Sequence, residues 1–131
     1  MSGITADRSG VAGAYWAAMD ARRLTFQRCR ACGAAQLPPR EECTTCLSPD
    51  LTWEQASGAA RLISWVVYHR AYHEDFAAEL PYVVAVVELA EGPRLISNIP
   101  GDGAGLEIDM PLRLVWGERF GQVLPWFEGV G

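Results

Sequence analysis

The sequence contains no lysine, and its eleven basic residues, all of them arginine, are outnumbered by sixteen acidic ones. The arginines are spread from Arg8 to Arg119, and the formal net charge is −5. A protein that binds phosphate backbones nonspecifically needs a clustered basic face. We therefore predict that this chain has no general nucleic-acid partner.

Long apolar runs are also missing. No stretch approaches the roughly 20 apolar residues that a helix needs to span a bilayer. The N-terminal segment MSGITADRSG lacks the basic and apolar regions of a secretory signal. We therefore expect no membrane association and a cytoplasmic location, where thiols stay reduced.

Signatures of catalysis are equally scarce. The chain has no G-x-S-x-G elbow, no Walker loop and no dinucleotide fingerprint. Its two histidines, His69 and His73, lack the glutamate that follows the first histidine in zinc proteases. They are interpreted as exposed loop residues beside Glu74. We do not expect this chain to be an enzyme on its own.

What the sequence does contain is a closely spaced set of cysteines. They form two C-x-x-C pairs, Cys29/Cys32 and Cys43/Cys46, and every cysteine of the chain belongs to one of them. Four thiolates suit a tetrahedral soft-ligand site, for which zinc is the usual metal. Iron in a rubredoxin-type site stays the alternative, because the ligands alone do not separate the two. Disulfides are disfavoured in a reducing compartment, and a redox pair would need a βαβ pattern that the sequence does not show.

The metal is expected to be structural, since four protein ligands leave no open position for a substrate. Gly33, directly after the first pair, supplies the permissive backbone that such a turn often needs. Leu47 and Ser48 stand at the corresponding place after the second pair. The second turn is therefore the less standard half of the site.

The Ala-rich segment 11–24 predicts a helix, with Ser9 as a candidate cap. Val11, Tyr15 and Met19 recur at helical spacing and form an apolar stripe. Trp16 widens this stripe. Packing on the core is the favoured role of this stripe. A partner interface through Tyr15 and Trp16 is the alternative.

Five β-rich segments follow, at residues 61–69, 81–89, 94–99, 111–116 and 123–127. Short strands separated by turn signals predict a small antiparallel barrel, with Ile63, Trp65 and Val67 on one face of its first strand. The predicted fold class is mainly β. It comprises an N-terminal tail and helix over 1–27, a metal-binding ribbon over 28–50 and a barrel domain over 51–131.

The whole pattern resembles a known family in which a rubredoxin-like zinc ribbon precedes a five-stranded OB-fold barrel. The resemblance rests on YWAAMDARRLTFQRCRACGAAQLPPREECTTC, SGAARLISWVVYHRAY and LPYVVAVVELAEGPRLISNI, which follow one another in family order. The sequence departs from the family pattern at Asp109, where a glycine often precedes the next strand. This departure puts the local turn in doubt.

The resemblance implies a non-catalytic accessory subunit of an acyl-CoA-processing enzyme. The segment 68–98 is especially similar to modules that pair with thiolase-like aldolases in steroid side-chain degradation. In those complexes the partner cleaves a β-hydroxyacyl-CoA by a retro-aldol reaction, while other family members accompany MaoC-type hydratases. The expected assembly is a heterotetramer of two thiolase-like chains and two accessory chains.

An acyl-CoA ligand would need contact residues on this chain. Arginines and aromatic faces can hold the nucleotide end of CoA without a general basic surface. The candidates are Arg40, Trp65, Arg70, Tyr72, Phe76, Tyr82 and Arg94. Each aromatic among them could instead pack in the core.

Two further functions stay open. OB barrels and zinc ribbons often bind nucleic acids, so a nucleic-acid-binding module is an alternative that the charge balance disfavours. An electron carrier with iron in the cysteine site is the other.

Overall fold

The computed structural model describes residues 10–69, 82–119 and 121–130, in which the chain forms one helix and eight strands. In chain order these elements are α1 (Ala12–Asp20), β1 (Thr25–Cys29), β2 (Ala35–Gln36), β3 (Leu51–Gln55), β4 (Ala59–Tyr68), β5 (Tyr82–Leu89), β6 (Arg94–Ile99), β7 (Pro111–Arg119) and β8 (Gln122–Gly129). Within these ranges no helix is long and apolar enough to cross a membrane.

Helix α1 is shorter than the predicted segment 11–24, because the chain turns at Arg22. This residue adopts a φ of +58°, and its N–H donates to the carbonyl of Met19 (2.8 Å). The left-handed turn ends the helix and directs the chain into β1. Ala18 and Met19 are the buried residues of α1, which packs against β1 and β8. Ser9, the predicted cap, lies outside the described residues.

Strands β2, β1 and β3 form a small antiparallel sheet in that order. Strand β1 pairs along its whole length with β3, from Thr25 opposite Gln55 to Cys29 opposite Leu51. The sheet therefore begins before the predicted ribbon range of 28–50 and ends after it. The domain boundaries at 27/28 and 50/51 stay a prediction.

The other five strands form an antiparallel sheet in the order β6-β5-β4-β7-β8. Its two edge strands, β6 and β8, contact each other, and the hydroxyl of Ser97 donates to the carbonyl of Pro125 (2.6 Å). The sheet thereby curls into a barrel whose seam lies between β6 and β8. The predicted mainly β fold, with a helix, a cysteine ribbon and a five-stranded barrel, is confirmed.

The barrel core consists of inward-facing aliphatic and aromatic side chains. In β5 burial alternates along the strand, as its two-residue period dictates, and Val83, Val87 and Leu89 are each at most 1% exposed. Phe127 of β8 is fully buried in the same cluster. Burying one such side chain stabilises the fold by roughly 1.5–3 kcal/mol.

A β-bulge in β4 changes which of its residues face the core. Strand β4 has one residue more than β5 between two paired positions, and the extra residue is Ile63. Leu62 faces the core before the bulge, whereas Trp65 and Val67 pack against the core after it. The prediction that Ile63 shares their face is wrong, because one inserted residue reverses the alternation.

Asp109 occupies the turn before β7, at the position where the resembling family often has a glycine. Its φ is +66°, in the left-handed region that aspartate tolerates better than most residues. Its N–H donates to the carbonyl of Leu62 (2.8 Å), and its carboxylate forms an ion pair with Arg61. The turn is therefore kept, and aspartate adds an ion pair that glycine could not make.

Candidate metal centre and apolar groove

The first cysteine pair lies where β1 ends and the chain turns toward β2. The N–H of Cys32 donates to Cys29 Sγ (3.4 Å), and the N–H of Gly33 donates to the carbonyl of Cys29 (2.8 Å). Gly33 has a φ of +82°, which costs glycine little. The turn thus directs a backbone donor at a sulfur that carries negative charge when it binds a metal.

The second pair repeats this geometry without a glycine. The N–H groups of Thr45 and Cys46 point at Cys43 Sγ (3.3 and 3.5 Å), and the N–H of Leu47 donates to the carbonyl of Cys43 (2.8 Å). Leu47 takes a φ of +66°, the same region as Gly33 in the first turn. The second turn therefore has leucine where the first has glycine, but its backbone conformation is equivalent to that of the first.

The four sulfur atoms fit a tetrahedral metal site. All four lie within 4.8 Å of one another, with Cys29 Sγ 3.6 Å from Cys46 Sγ and Cys32 Sγ 3.7 Å from Cys43 Sγ. Zn–S bonds of about 2.3 Å at tetrahedral angles require S···S distances of about 3.8 Å. The cysteines are unbridged, as sulfurs this far apart must be.

Backbone donors also favour the thiolate form that a metal requires. Hydrogen bonding from the Cys46 N–H, with a further contribution from Thr45, lowers the pKa of Cys43 to about 6. Donation from the Cys32 N–H, its largest cause, lowers the pKa of Cys29 as well. In each pair, backbone donation to one sulfur thereby favours the thiolate form in which a cysteine binds a metal.

A buried pair of glutamine side chains supports the second turn. Gln27 and Gln36 are 2% and 7% exposed, and the amide of Gln36 donates to Gln27 Oε1 (2.9 Å). Gln27 bonds both the N–H and the carbonyl of Arg40 (2.8 and 2.9 Å). Gln36 accepts from the N–H of Thr44 (2.9 Å) and donates to the carbonyl of Glu42 (3.2 Å). The two amides therefore fasten residues 40–44 to the sheet.

An apolar groove of about 510 Å³ lies between α1 and the seam of the barrel. Helix α1 contributes Tyr15, Trp16 and Met19, and the loop before the second cysteine pair contributes residues 37–38. Opposite them are residues 94–98 of β6 and residues 124–126 of β8. The groove thus joins the helix, the ribbon and the barrel.

Aromatic stacking fixes the helical wall of the groove. The Tyr15 ring stacks on Trp53 of β3 (6.3 Å between centroids, 22° between planes) and meets Trp16 edge-on (5.7 Å, 74°). Burial raises the pKa of Tyr15 to about 12, so its phenol stays neutral. Tyr15 and Trp16 pack against the core and also line the groove. The two predicted roles of these residues, core packing and a partner interface, are therefore compatible.

On the barrel side, the groove is lined by Trp126, whose position depends on Gly117. Gly117 was not among the predicted site residues. A Cβ atom at position 117 would lie 2.3 Å from the Trp126 ring. Only glycine therefore leaves room for the ring beside β7 at that point. A glycine inside a strand pattern was the available signal for such a close approach.

The groove brings together Arg94, a predicted CoA contact, with Tyr15 and Trp16, the predicted partner-interface residues. Arg40 lies at the ribbon, where its guanidinium donates to the carbonyl of Pro39 (3.3 Å). Sequence separation gave no indication that α1 and β6 would line one groove, so the grouping of these three residues was not predicted.

The other predicted candidates lie elsewhere. Trp65 packs against the barrel core, and Tyr82 stacks on Tyr68 with ring centroids 5.0 Å apart. His69 is exposed directly after β4. The candidates that lie outside the described residues are Arg70, Tyr72 and Phe76, together with His73 and Glu74.

The outer face of β5 and β6 is the face on which OB folds commonly bind oligonucleotides. Val86 and Ile96 pair across it, and Ile96 is 74% exposed. Arg61 and Arg94 both form ion pairs with Glu88 (2.9 and 3.0 Å). The described part of this face is therefore aliphatic with compensated charges, which disfavours the nucleic-acid alternative.

Two family models match the chain. The rubredoxin-like zinc ribbon domain of ChsH2 matches residues 16–52, and the C-terminal OB-fold domain of ChsH2 matches residues 53–117. The ribbon match and the four clustered sulfurs agree on a structural zinc ion, which Cys29, Cys32, Cys43 and Cys46 hold.

Individual proteins match over different shares of their length. A DUF35 domain-containing scaffold protein of Methanothermobacter thermautotrophicus is 36% identical over 71% of this chain and 71% of its own. A probable enoyl-CoA hydratase alpha subunit of Thermomonospora curvata is 43% identical over 79% of this chain. The match covers 32% of that subunit, so this chain spans about a third of its length.

A solved structure matches over nearly the full length of both chains. A chain of the Ltp2–ChsH2(DUF35) aldolase is 38% identical, with a TM-score of 0.81, and the match covers 95% of this chain and 97% of that one. The helix, ribbon and barrel described above therefore recur together in that chain.

Proposed function

Since this chain belongs to the DUF35 family of ChsH2-type zinc-ribbon and OB-fold proteins, we propose that it is a non-catalytic accessory subunit of an acyl-CoA-processing complex. The observation that carries this proposal is the match to a chain of the Ltp2–ChsH2(DUF35) aldolase along almost all of both chains. The proposed partner is a thiolase-like aldolase in the cytoplasm, in a complex of two chains of each kind.

The proposed reaction of the complex is retro-aldol cleavage of a β-hydroxyacyl-CoA in steroid side-chain degradation. In such a cleavage the Cα–Cβ bond breaks, the hydroxyl-bearing carbon becomes a carbonyl, and a proton is added at Cα. No oxidant is consumed, but an acid and a base are needed. The proposal assigns these groups to the partner.

The chemistry of this chain supports that division of labour. All four thiols belong to the metal centre, and four protein ligands leave no position for a substrate. In the described parts of the chain, His69 is exposed after β4 and is not a lining residue of the groove. A chain of this kind contributes binding surface and positioning.

A second candidate has a specific observation in its favour. The match to an enoyl-CoA hydratase alpha subunit supports an accessory role beside a MaoC-type hydratase. Both candidates place the chain in acyl-CoA metabolism, and they differ in the partner and in the bond that the complex makes or breaks.

A reconstitution assay tests the proposal. The zinc-loaded chain, the thiolase-like partner and a mixture of both are incubated with a β-hydroxyacyl-CoA, and the carbonyl product and the shortened acyl-CoA are measured. We expect cleavage by the mixture and none by this chain alone. Full cleavage by this chain alone would refute the accessory role, and hydration of an enoyl-CoA by a mixture with a MaoC-type protein would favour the second candidate.

A further inference from the structure

The groove between α1 and the barrel seam has the features of a small-molecule site. Its volume of about 510 Å³ lies within the usual range for such sites, and its walls are mainly aromatic and aliphatic. Trp16 and Trp126 stand on different elements, and Ile96 is 74% exposed in the groove. An apolar ligand would cover this side chain and gain from the burial.

The two uncharged polar side chains that β6 contributes to the groove are already bonded within the protein. The Ser97 hydroxyl donates to the Pro125 carbonyl (2.6 Å), and the Asn98 amide donates to the Val83 carbonyl (2.9 Å). A polar ligand group buried against them would gain few hydrogen bonds. A sugar or nucleobase would therefore lose its hydrogen bonds to water without replacing them, which costs free energy. The part of a ligand that enters the groove should therefore be hydrocarbon.

Among the lining residues that the structure describes, Arg94 supplies the one cationic group. Its Nε donates to Glu88 (3.0 Å), and Glu88 also pairs with Arg61 (2.9 Å), which has a second carboxylate partner in Asp109. Among the described residues, the terminal nitrogens of Arg94 have no hydrogen-bond partner, and the side chain is 55% exposed. These nitrogens can bond an oxygen of a ligand at the edge of the groove.

We propose that this groove binds an acyl chain, with the hydrocarbon between α1 and the seam and the carbonyl or carboxylate oxygen at Arg94. Naming the ligand as the acyl part of a CoA thioester rests on the proposed function. A free carboxylic acid offers the same chemistry, so the test must separate the two sources.

A fluorescent probe tests the proposal with the full zinc-loaded chain. 11-(Dansylamino)undecanoic acid is titrated against the protein, and energy transfer from tryptophan to the dansyl group reports its binding. Palmitoyl-CoA, palmitic acid and CoA alone are then added as competitors. We expect palmitoyl-CoA and palmitic acid to displace the probe and CoA alone to leave it bound.

Two exposed isoleucines provide a matched pair of variants. Ile96→Glu puts a charge in the groove, whereas Ile108→Glu makes the same change at a residue that is 60% exposed and lies outside the groove lining. We expect the first to weaken probe binding about tenfold or more and the second to change it by less than about twofold. Arg94→Gln should weaken binding of the acid roughly fivefold and weaken binding of its methyl ester less, because the ester keeps a carbonyl acceptor but carries no charge.

The outcomes separate this inference from the accessory-subunit proposal. Absence of probe binding, or equal loss in the two glutamate variants, would overturn the acyl groove even if a partner enzyme is recovered. Displacement by palmitic acid with none by palmitoyl-CoA would overturn the thioester as the ligand. Probe binding that follows the predicted pattern would support the groove even if no partner is recovered.

Discussion

Replacing Gln36 with leucine should loosen the metal centre without touching a ligand. Leucine fills a similar volume but cannot accept from Thr44 or donate to Gln27 and to the carbonyl of Glu42, as Gln36 does over 2.9–3.2 Å. Losing the partner of a buried donor or acceptor costs roughly 1–3 kcal/mol. The substitution would therefore destabilise the turn that carries Cys43.

The loss should appear as weaker zinc binding, because the free energy of binding a structural zinc is coupled to folding. A cost of roughly 1–3 kcal/mol corresponds to an affinity about 5- to 150-fold lower. Zinc affinity is measured by competition with a chromophoric chelator. The matched control is Gln55→Leu, which makes the same change at an exposed position of β3.

A specific result would refute this reasoning. If Gln36→Leu and Gln55→Leu retained zinc as tightly as the unaltered chain, the amide pair would have no role in holding the second turn. If both weakened zinc equally, the effect would come from strand propensity in the ribbon sheet.

Three further changes test other parts of the structure. Leu47→Gly should raise the unfolding free energy in urea by about 0.5–1 kcal/mol, since glycine relieves the left-handed strain; a loss would refute this. Gly117→Ala should displace the Trp126 ring, cost roughly 1–3 kcal/mol and change tryptophan fluorescence; an unchanged spectrum and stability would contradict the contact. Arg94, the largest cause, lowers the pKa of Glu88, so this carboxylate stabilises the fold above the ordinary pKa of about 4.5 and ceases to do so as pH falls through the lowered value. Glu88→Gln should thus reduce stability at neutral pH and flatten its acid dependence; an acid dependence in urea titrations equal to that of the unaltered chain would contradict the assignment.

Features that depend on local sequence could be predicted. Two C-x-x-C pairs bring thiolates together through short turns, and alternating β-branched residues define strands without knowledge of their partners. The metal ligands and the five barrel strands were therefore available from the sequence. The left-handed φ of Leu47 was less accessible, because its residue type argues against the conformation that the sulfur geometry imposes.

Features that depend on register or on distant elements could not be predicted. The bulge at Ile63 adds one residue to one strand, and no residue type in RLISWVVYH marks it. The groove joins Trp16, Arg94 and Trp126, which only the closure of the barrel and the docking of α1 bring together. The amides of Gln27 and Gln36 are polar groups whose burial becomes clear only when their partners are known.

The most direct test of the central claim is recovery of the partner. The tagged chain is purified from its native cells, the bound proteins are identified by mass spectrometry, and the metal is measured by elemental analysis. We predict a thiolase-like protein in equal amount to this chain and one zinc ion per chain. Recovery of nucleic acid or of a redox protein, with no acyl-CoA enzyme, would contradict the account.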